Sequence, residues 1–233
     1  MILFAAAMSL VAGGVRAQQP AEPTPTPDAA RLWRGTVHYR VTMNGDTTGA
    51  DTATWSVAGG QVVAADRMHL PGIAAAVEAR MSLPSLAPLS LTDARDAGGQ
   101  HAEARLAYAG GRVTGTLSMP GAAPAEIAEA LPEGTYDMAG LASVLAALPL
   151  RAGAVWTLPA YSPYLRVVTR LRAEVGAPEV VETPMGPVRA FRMRLTGGPA
   201  EMLYWFSEAE PRWEVKGMVP AYGVTIEARS RTP

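Results

Sequence analysis

The chain contains no cysteine. That excludes disulfides, thiolate nucleophiles and Cys-ligated metals, and in an exported protein it also excludes a lipidated N-terminal Cys. Lysine is nearly absent: among 20 Lys and Arg residues only Lys216 is lysine. The formal net charge is −1, so there is no surplus of positive charge to attract a phosphate backbone, and nucleic acid is excluded as a partner class. No stretch reaches the ~18 uninterrupted apolar residues that a membrane-spanning helix requires.

Motifs of catalysis are missing as well. Neither His-Glu-x-x-His nor Gly-x-Ser-x-Gly occurs, and the glycine pairs fall between strands rather than ahead of helices, where they would cradle phosphate. The three histidines are His38, His69 and His101. His101 and Glu103 share a strand face at spacing two, but no third ligand stands near them, so all three histidines read as solvated surface residues and no metal site is expected. Ser143 has no His or acid at useful spacing and reads as a small packing residue. Asp93 and Asp96 flank a hairpin, where Asp favours turns. The chain is therefore expected not to be an enzyme and to carry no cofactor.

What is present begins with an apolar run over residues 2–12, interrupted by Ser9, followed by Val15-Arg16-Ala17. Small residues at the −3 and −1 positions make residues 1–17 a signal peptide cleaved near Ala17. A buried first strand or helix is the alternative. Residues 18–31 hold four prolines between Pro20 and Pro27 and read as a disordered linker. The expected product is soluble and periplasmic or secreted, with one domain over residues 32–230.

That domain alternates with period two. Trp33, Val37, Tyr39, Val41 and Met43 oppose Thr36, His38, Arg40 and Thr42. Asn44-Gly45 is a hairpin signal, because both residues tolerate positive φ. Ala53, Trp55 and Val57 share a face of the return strand. Ile73, Ala75, Val77, Ala79, Met81 and Leu83 point inward from the next clear strand, although the alanine content leaves a helix open. Gly98-Gly99 and Gly110-Gly111 punctuate a meander that ends with Val113, Leu117 and Met119 inward. Residues 124–129 suggest a short helix entered through Pro124. Gly176-Ala-Pro178 punctuates the C-terminal third, where Phe191, Met193 and Leu195 again alternate with arginines. Without β-α-β alternation the sheet should be antiparallel.

One amphipathic helix stands out, from Met138 to Leu148. Asp137 sits at its N-cap position and Pro149 stops it, while Met138, Leu141, Val144, Leu145 and Leu148 recur at helical spacing. The expected fold is mainly β: a curved antiparallel sheet or half-barrel of roughly a dozen strands, with one or two helices packed in its concave face.

Several stretches together resemble the bacterial family called domain of unknown function 3108. They are Tyr108-Ala-Gly-Gly-Arg-Val-Thr-Gly115, Thr135-Tyr-Asp137 ahead of a helix ending in Leu148-Pro-Leu-Arg-Ala-Gly153, the strand 189–195 after Thr183-Pro-Met-Gly186, and Trp205-Phe-Ser207 with Pro211-Arg-Trp-Glu-Val215. The resemblance implies a periplasmic protein with a half-barrel like that of lipoprotein carriers, and implies no known reaction.

The candidate ligand-binding residues on the concave face are Tyr39, Trp55, Met81, Met119, Leu141, Leu145, Phe191, Met193 and Trp213. Methionines and aromatics adapt to irregular apolar shapes, so the hollow is expected to take a lipid or other apolar small molecule. The competing reading is that these residues simply make the core against the helix, leaving a structural or interaction module that binds an envelope protein or membrane surface. Arg166, Arg170, Arg172, Arg192 and Arg194 form either a basic patch or a solvated sheet face balanced by Glu174, Glu179 and Glu182. Oligomeric state is not legible.

Overall fold

The computed structural model describes residues 22–233, apart from the side chains of residues 47 and 48. The expected signal peptide lies outside the described residues. The body is one fifteen-stranded sheet. Its N-terminal meander comprises β1 (Gly35–Met43), β2 (Asp46–Ala58), β3 (Gln61–Leu70), β4 (Ile73–Ser82), β5 (Pro88–Ala97), β6 (Gln100–Ala109), β7 (Arg112–Ser118) and β8 (Ala125–Ala130). Next come the two-residue β9 (Tyr136–Asp137) and the helix α1 (Leu141–Ala146). The second meander is β10 (Val155–Ser162), β11 (Val167–Thr183), β12 (Gly186–Thr196), β13 (Met202–Ser207), β14 (Glu214–Val219) and β15 (Val224–Thr232).

Strand β1 pairs with β15, which joins the two meanders into one sheet running from β8 at one end to β9 at the other. Every pairing is antiparallel except that of β9 with β10. Only the short link 131–135 separates β8 from β9, so the sheet must curl until its two ends approach each other. Side chains bridge the gap: Tyr161 Oη donates to Glu129 at 2.9 Å, and Arg166 Nε reaches the same carboxylate at 2.7 Å. The result is an open barrel with a polar seam.

The inner face is apolar by alternation. Val37, Tyr39 and Val41 of β1 and Ala75, Val77, Ala79 and Met81 of β4 are buried, as expected. Hairpin turns carry the required residues: Asn44 and Gly45 have φ of 54° and 92°. At Gly115, φ is 144° and an added Cβ would stand 2.0 Å from the Arg105 carbonyl oxygen, so only glycine fits.

Several local expectations are corrected. The helix is shorter than the 138–148 span and starts at Gly140, which offers no capping side chain. Asp137 belongs to β9 instead, although its carboxylate does accept from the Ala139 N–H at 2.7 Å. The suggested helix at 124–129 is strand β8: Ile127 is buried between exposed Glu126 and Ala128, and pairing with β7 overrides the proline signal. Residues 176–178 do not break the chain. Strand β11 runs through them with a bulge between Val175 and Pro178. Val57 and Leu83 are each 38% exposed at strand ends rather than inward.

The Pro-rich segment also departs from expectation. From Glu22 it lies along the free edge of β10: the Glu22 N–H donates to the Val155 carbonyl at 2.8 Å, and Thr24 Oγ1 donates to the Thr157 carbonyl at 2.7 Å. Glu22 also pairs with Arg151. Asp28 caps a single 3-10 turn (Ala29–Arg31), and Ala29 is buried in the main core. Proline suits this place, because an edge segment needs few backbone donors. Ala29→Arg should therefore lower stability by more than about 2 kcal/mol in urea unfolding, since it forces a charge into the core. No change in the unfolding midpoint would mean that the segment is not docked.

Candidate functional site

The hollow of the sheet is the candidate site. α1 and the two residues after it enter it and are buried apart from half-buried Ala142: Leu141, Val144, Leu145, Ala146, Ala147 and Leu148 are at most 2% exposed. The helix is pinned from the sheet by Trp55, whose Nε1 donates to Ser143 Oγ at 2.9 Å. Ser143 is thus a buried acceptor as well as a small packing residue. Beside the helix lies a crevice of about 10 Å³, walled by Ala79, Met81, Leu86, Tyr136, Gly140 and Val144, with room for about one water molecule.

Eight of the nine candidate residues meet in the single large core: Tyr39, Trp55, Met81, Leu141, Leu145, Phe191, Met193 and Trp213. Met119 does not. It lies beyond the end of β7, where alternation no longer applies, and is 40% exposed. Four of the five arginines are engaged by partners within the protein, so they do not form a bare patch. Arg172 and Arg194 bond Glu174 and Glu201, Arg166 joins the seam, and Arg192 lies over the Trp205 ring.

The inner face also carries acids that the sequence reading did not single out. Asp51 of β2 stands opposite Tyr39, while Asp66 of β3 stands opposite Ala53 and Val77. Glu214 of β14 stands opposite Phe206. Asp51 and Glu214 are 5% and 6% exposed, and each has one carboxylate oxygen, Oδ1 and Oε1 respectively, without a hydrogen-bond donor among the described residues. Tyr39 Oη donates to the Glu214 backbone carbonyl at 2.9 Å, not to its carboxylate. Burial, reinforced by the neighbouring Asp66, raises the Asp51 pKa well above the ordinary carboxylate range. Burial pushes Glu214 up to about 7, with Asp66 contributing in the same sense.

A second polar group sits at the seam. Asp93, expected in a turn, is 1% exposed in mid-strand and is held by Arg95 through two bonds of 2.8 and 2.6 Å. Arg95 stacks over Tyr164, whose hydroxyl donates to the Asp93 carbonyl. Asp137 accepts from the Tyr108 hydroxyl. Burial raises Asp137 to about 6 against the lowering effect of these hydrogen bonds. This group is satisfied internally and reads as the closure of the sheet.

All three histidines are exposed, and among the described residues no set of three or more His, Cys, Asp or Glu is arranged to hold a metal ion. The one sequence signal for the inner acids was available: Asp51, Asp66 and Glu214 occupy inward positions of their strands, where the alternation calls for apolar residues.

The family model described as protein of unknown function, DUF3108, matches residues 37–227. A crystal structure of a β-barrel-like protein of domain of unknown function DUF1849 from Brucella abortus is similar, with TM-score 0.54 and 10% identity over 86% of this chain and 98% of that one. An exported protein with a YmcC-like fold from Bacteroides fragilis aligns at TM-score 0.33 and 10% identity, over 89% of this chain and 100% of that one. A search of the curated proteins finds no match.

The raised acids give a pH dependence with a definite sign. Glu214 binds its proton more tightly folded than unfolded, so its stabilising contribution is full below about pH 4.5 and is lost as pH rises to about 7. The loss is roughly 3 kcal/mol for the shift of that one group. Urea unfolding from pH 4.5 to 7.5 should show stability falling, with a smaller fall in Glu214→Gln. Equal slopes for the two proteins would refute the assignment.

Proposed function

The chain belongs to the DUF3108 family, and we propose that it works in the cell envelope by holding an apolar ligand, a lipid or acyl chain, against the inner face of its curled sheet. In this reading the leader over residues 1–17 exports the protein, and no reaction is catalysed.

The observation that carries the reading is the mixed chemistry of the inner face. Apolar walls surround Asp51 and Glu214, and each of these acids keeps a buried oxygen without a donor. Folding alone gains nothing from such oxygens, since each costs about 1–3 kcal/mol or more in lost solvation. A ligand that covers them offsets that cost. Tyr39, Trp55 and Phe206 supply aromatic surface on the same face.

One observation favours a second reading. The packing around α1 leaves a crevice of only about 10 Å³, which fits a closed core in an envelope module that binds a protein partner through its outer surface.

Native mass spectrometry of protein purified gently from an envelope fraction separates the two. Under the first reading a lipid co-purifies, and organic extraction returns it in about one copy per chain. A bare mass in repeated preparations, with no thermal shift on adding envelope lipids, overturns the ligand reading and leaves the closed module.

A further inference from the structure

We propose that Asp51, Asp66 and Glu214 form a site for an organic ammonium group, so that the ligand is an amphiphile with a cationic, hydrogen-bond-donating head. The inference rests on the ligand-holding reading and adds the chemistry of the head group.

Three strands bring these acids to one face. Asp51 sits on β2 beside Tyr39 of β1, and Asp66 follows on β3 as its diagonal neighbour on the same face. Glu214 approaches from β14, across the β1–β15 junction, and the Tyr39 hydroxyl ties β1 to its backbone. The Glu214 side chain has a dedicated space. Its Oε1 lies over Gly217, where an added Cβ would come within 2.5 Å, between the cross-strand neighbours Tyr204 and Ile226. A side chain at position 217 would evict the carboxylate.

The chemistry that completes such a site is narrow. Two buried carboxylate oxygens, Asp51 Oδ1 and Glu214 Oε1, have no donor among the described residues. The buried cations Arg95 and Arg212 are committed elsewhere, to Asp93 at the seam and to Glu210 and the Leu148 carbonyl, and Arg40, Lys216 and Glu227 form their ion pairs on the outer face. An anionic head brings no donor to these oxygens, whereas a cationic donor both bonds them and draws the raised acids toward their ionised form. A metal ion needs ligands converging on one point, and the acids here are not so arranged. A primary ammonium carries three N–H donors spread around one nitrogen and bridges oxygens that stand apart. Its apolar tail then lies along Val41, Met68 and Ile226, which share the inner face.

The test uses twelve-carbon amphiphiles below their micellar concentrations: dodecylammonium, dodecyl maltoside and laurate. Binding to the exported protein is followed by calorimetry, with stoichiometry from native mass spectrometry. One dodecylammonium should bind per chain, at least tenfold more tightly than laurate, with the maltoside between them. Asp51→Asn and Glu214→Gln should each weaken dodecylammonium at least tenfold more than they weaken the maltoside. The head-group comparison on the wild-type protein stands even where a variant fails to fold. Equal binding of all three, unaltered by the substitutions, overturns the ammonium site and keeps the apolar carrier. Binding of none of them overturns both.

Discussion

Everything in this fold depends on the pairing of β1 with β15. Each meander alone is a hairpin array with an unprotected edge and one apolar face. Antiparallel arrays of this kind form from local turns, and the sequence is rich in them. Joining first strand to last turns two arrays into one sheet, and the accumulated twist of fifteen strands curls that sheet around its own side chains. The curl brings β8 back toward β9 and β10, where the backbones do not pair. Side chains close the remaining gap: Tyr161 and Arg166 on Glu129, and Tyr108 on Asp137. A seam held by side chains gives the sheet a closed interior without a complete ring of backbone hydrogen bonds.

Two free edges remain in such a design, one covered and one charged. The upper edge of β10 is occupied by the segment from Glu22, held by one backbone and one side-chain hydrogen bond and by the Arg151 ion pair. The β8 edge carries Glu126 and Glu129, charges that discourage pairing with another chain. Four prolines look like disorder when composition is read alone. Set against an edge strand, Pro23, Pro25 and Pro27 are compatible with docking, because few of their missing N–H groups would have had partners.

The same contrast explains what the sequence made legible. Period-two alternation and paired turn residues located the strands, and the family resemblance agrees with the matched family. The apolar candidates were legible because one face of an alternating strand must be buried, and eight of them share the core. Met119 failed because alternation holds only within a strand, and β7 ends at Ser118. The local roles of cap and turn former that sequence suggests for Asp137 and Asp93 are overridden differently: Asp137 takes the distant Tyr108 hydroxyl, while Asp93 is paired within its own strand by Arg95, which the distant Tyr164 ring covers. The inner acids escaped for the opposite reason. Asp51, Asp66 and Glu214 break the inward apolar pattern, and such breaks look like noise until pairing places them together.

Such breaks carry the chemical meaning of the hollow. A sheet selected only for stability would fill its inner positions with aliphatic side chains, since a buried acid without a partner costs more than a methyl group gains. At the seam that cost is offset, because Asp93 has Arg95 and Asp137 has Tyr108 and the Ala139 N–H. Near Tyr39 it is not. Among the described residues Asp51 and Glu214 each keep an oxygen without a donor, and burial holds their protons on to higher pH. The two groups share one inner face and one degree of burial and differ only in whether partners are built in. A structural core has reason to satisfy both groups, whereas a binding surface has reason to leave one of them open.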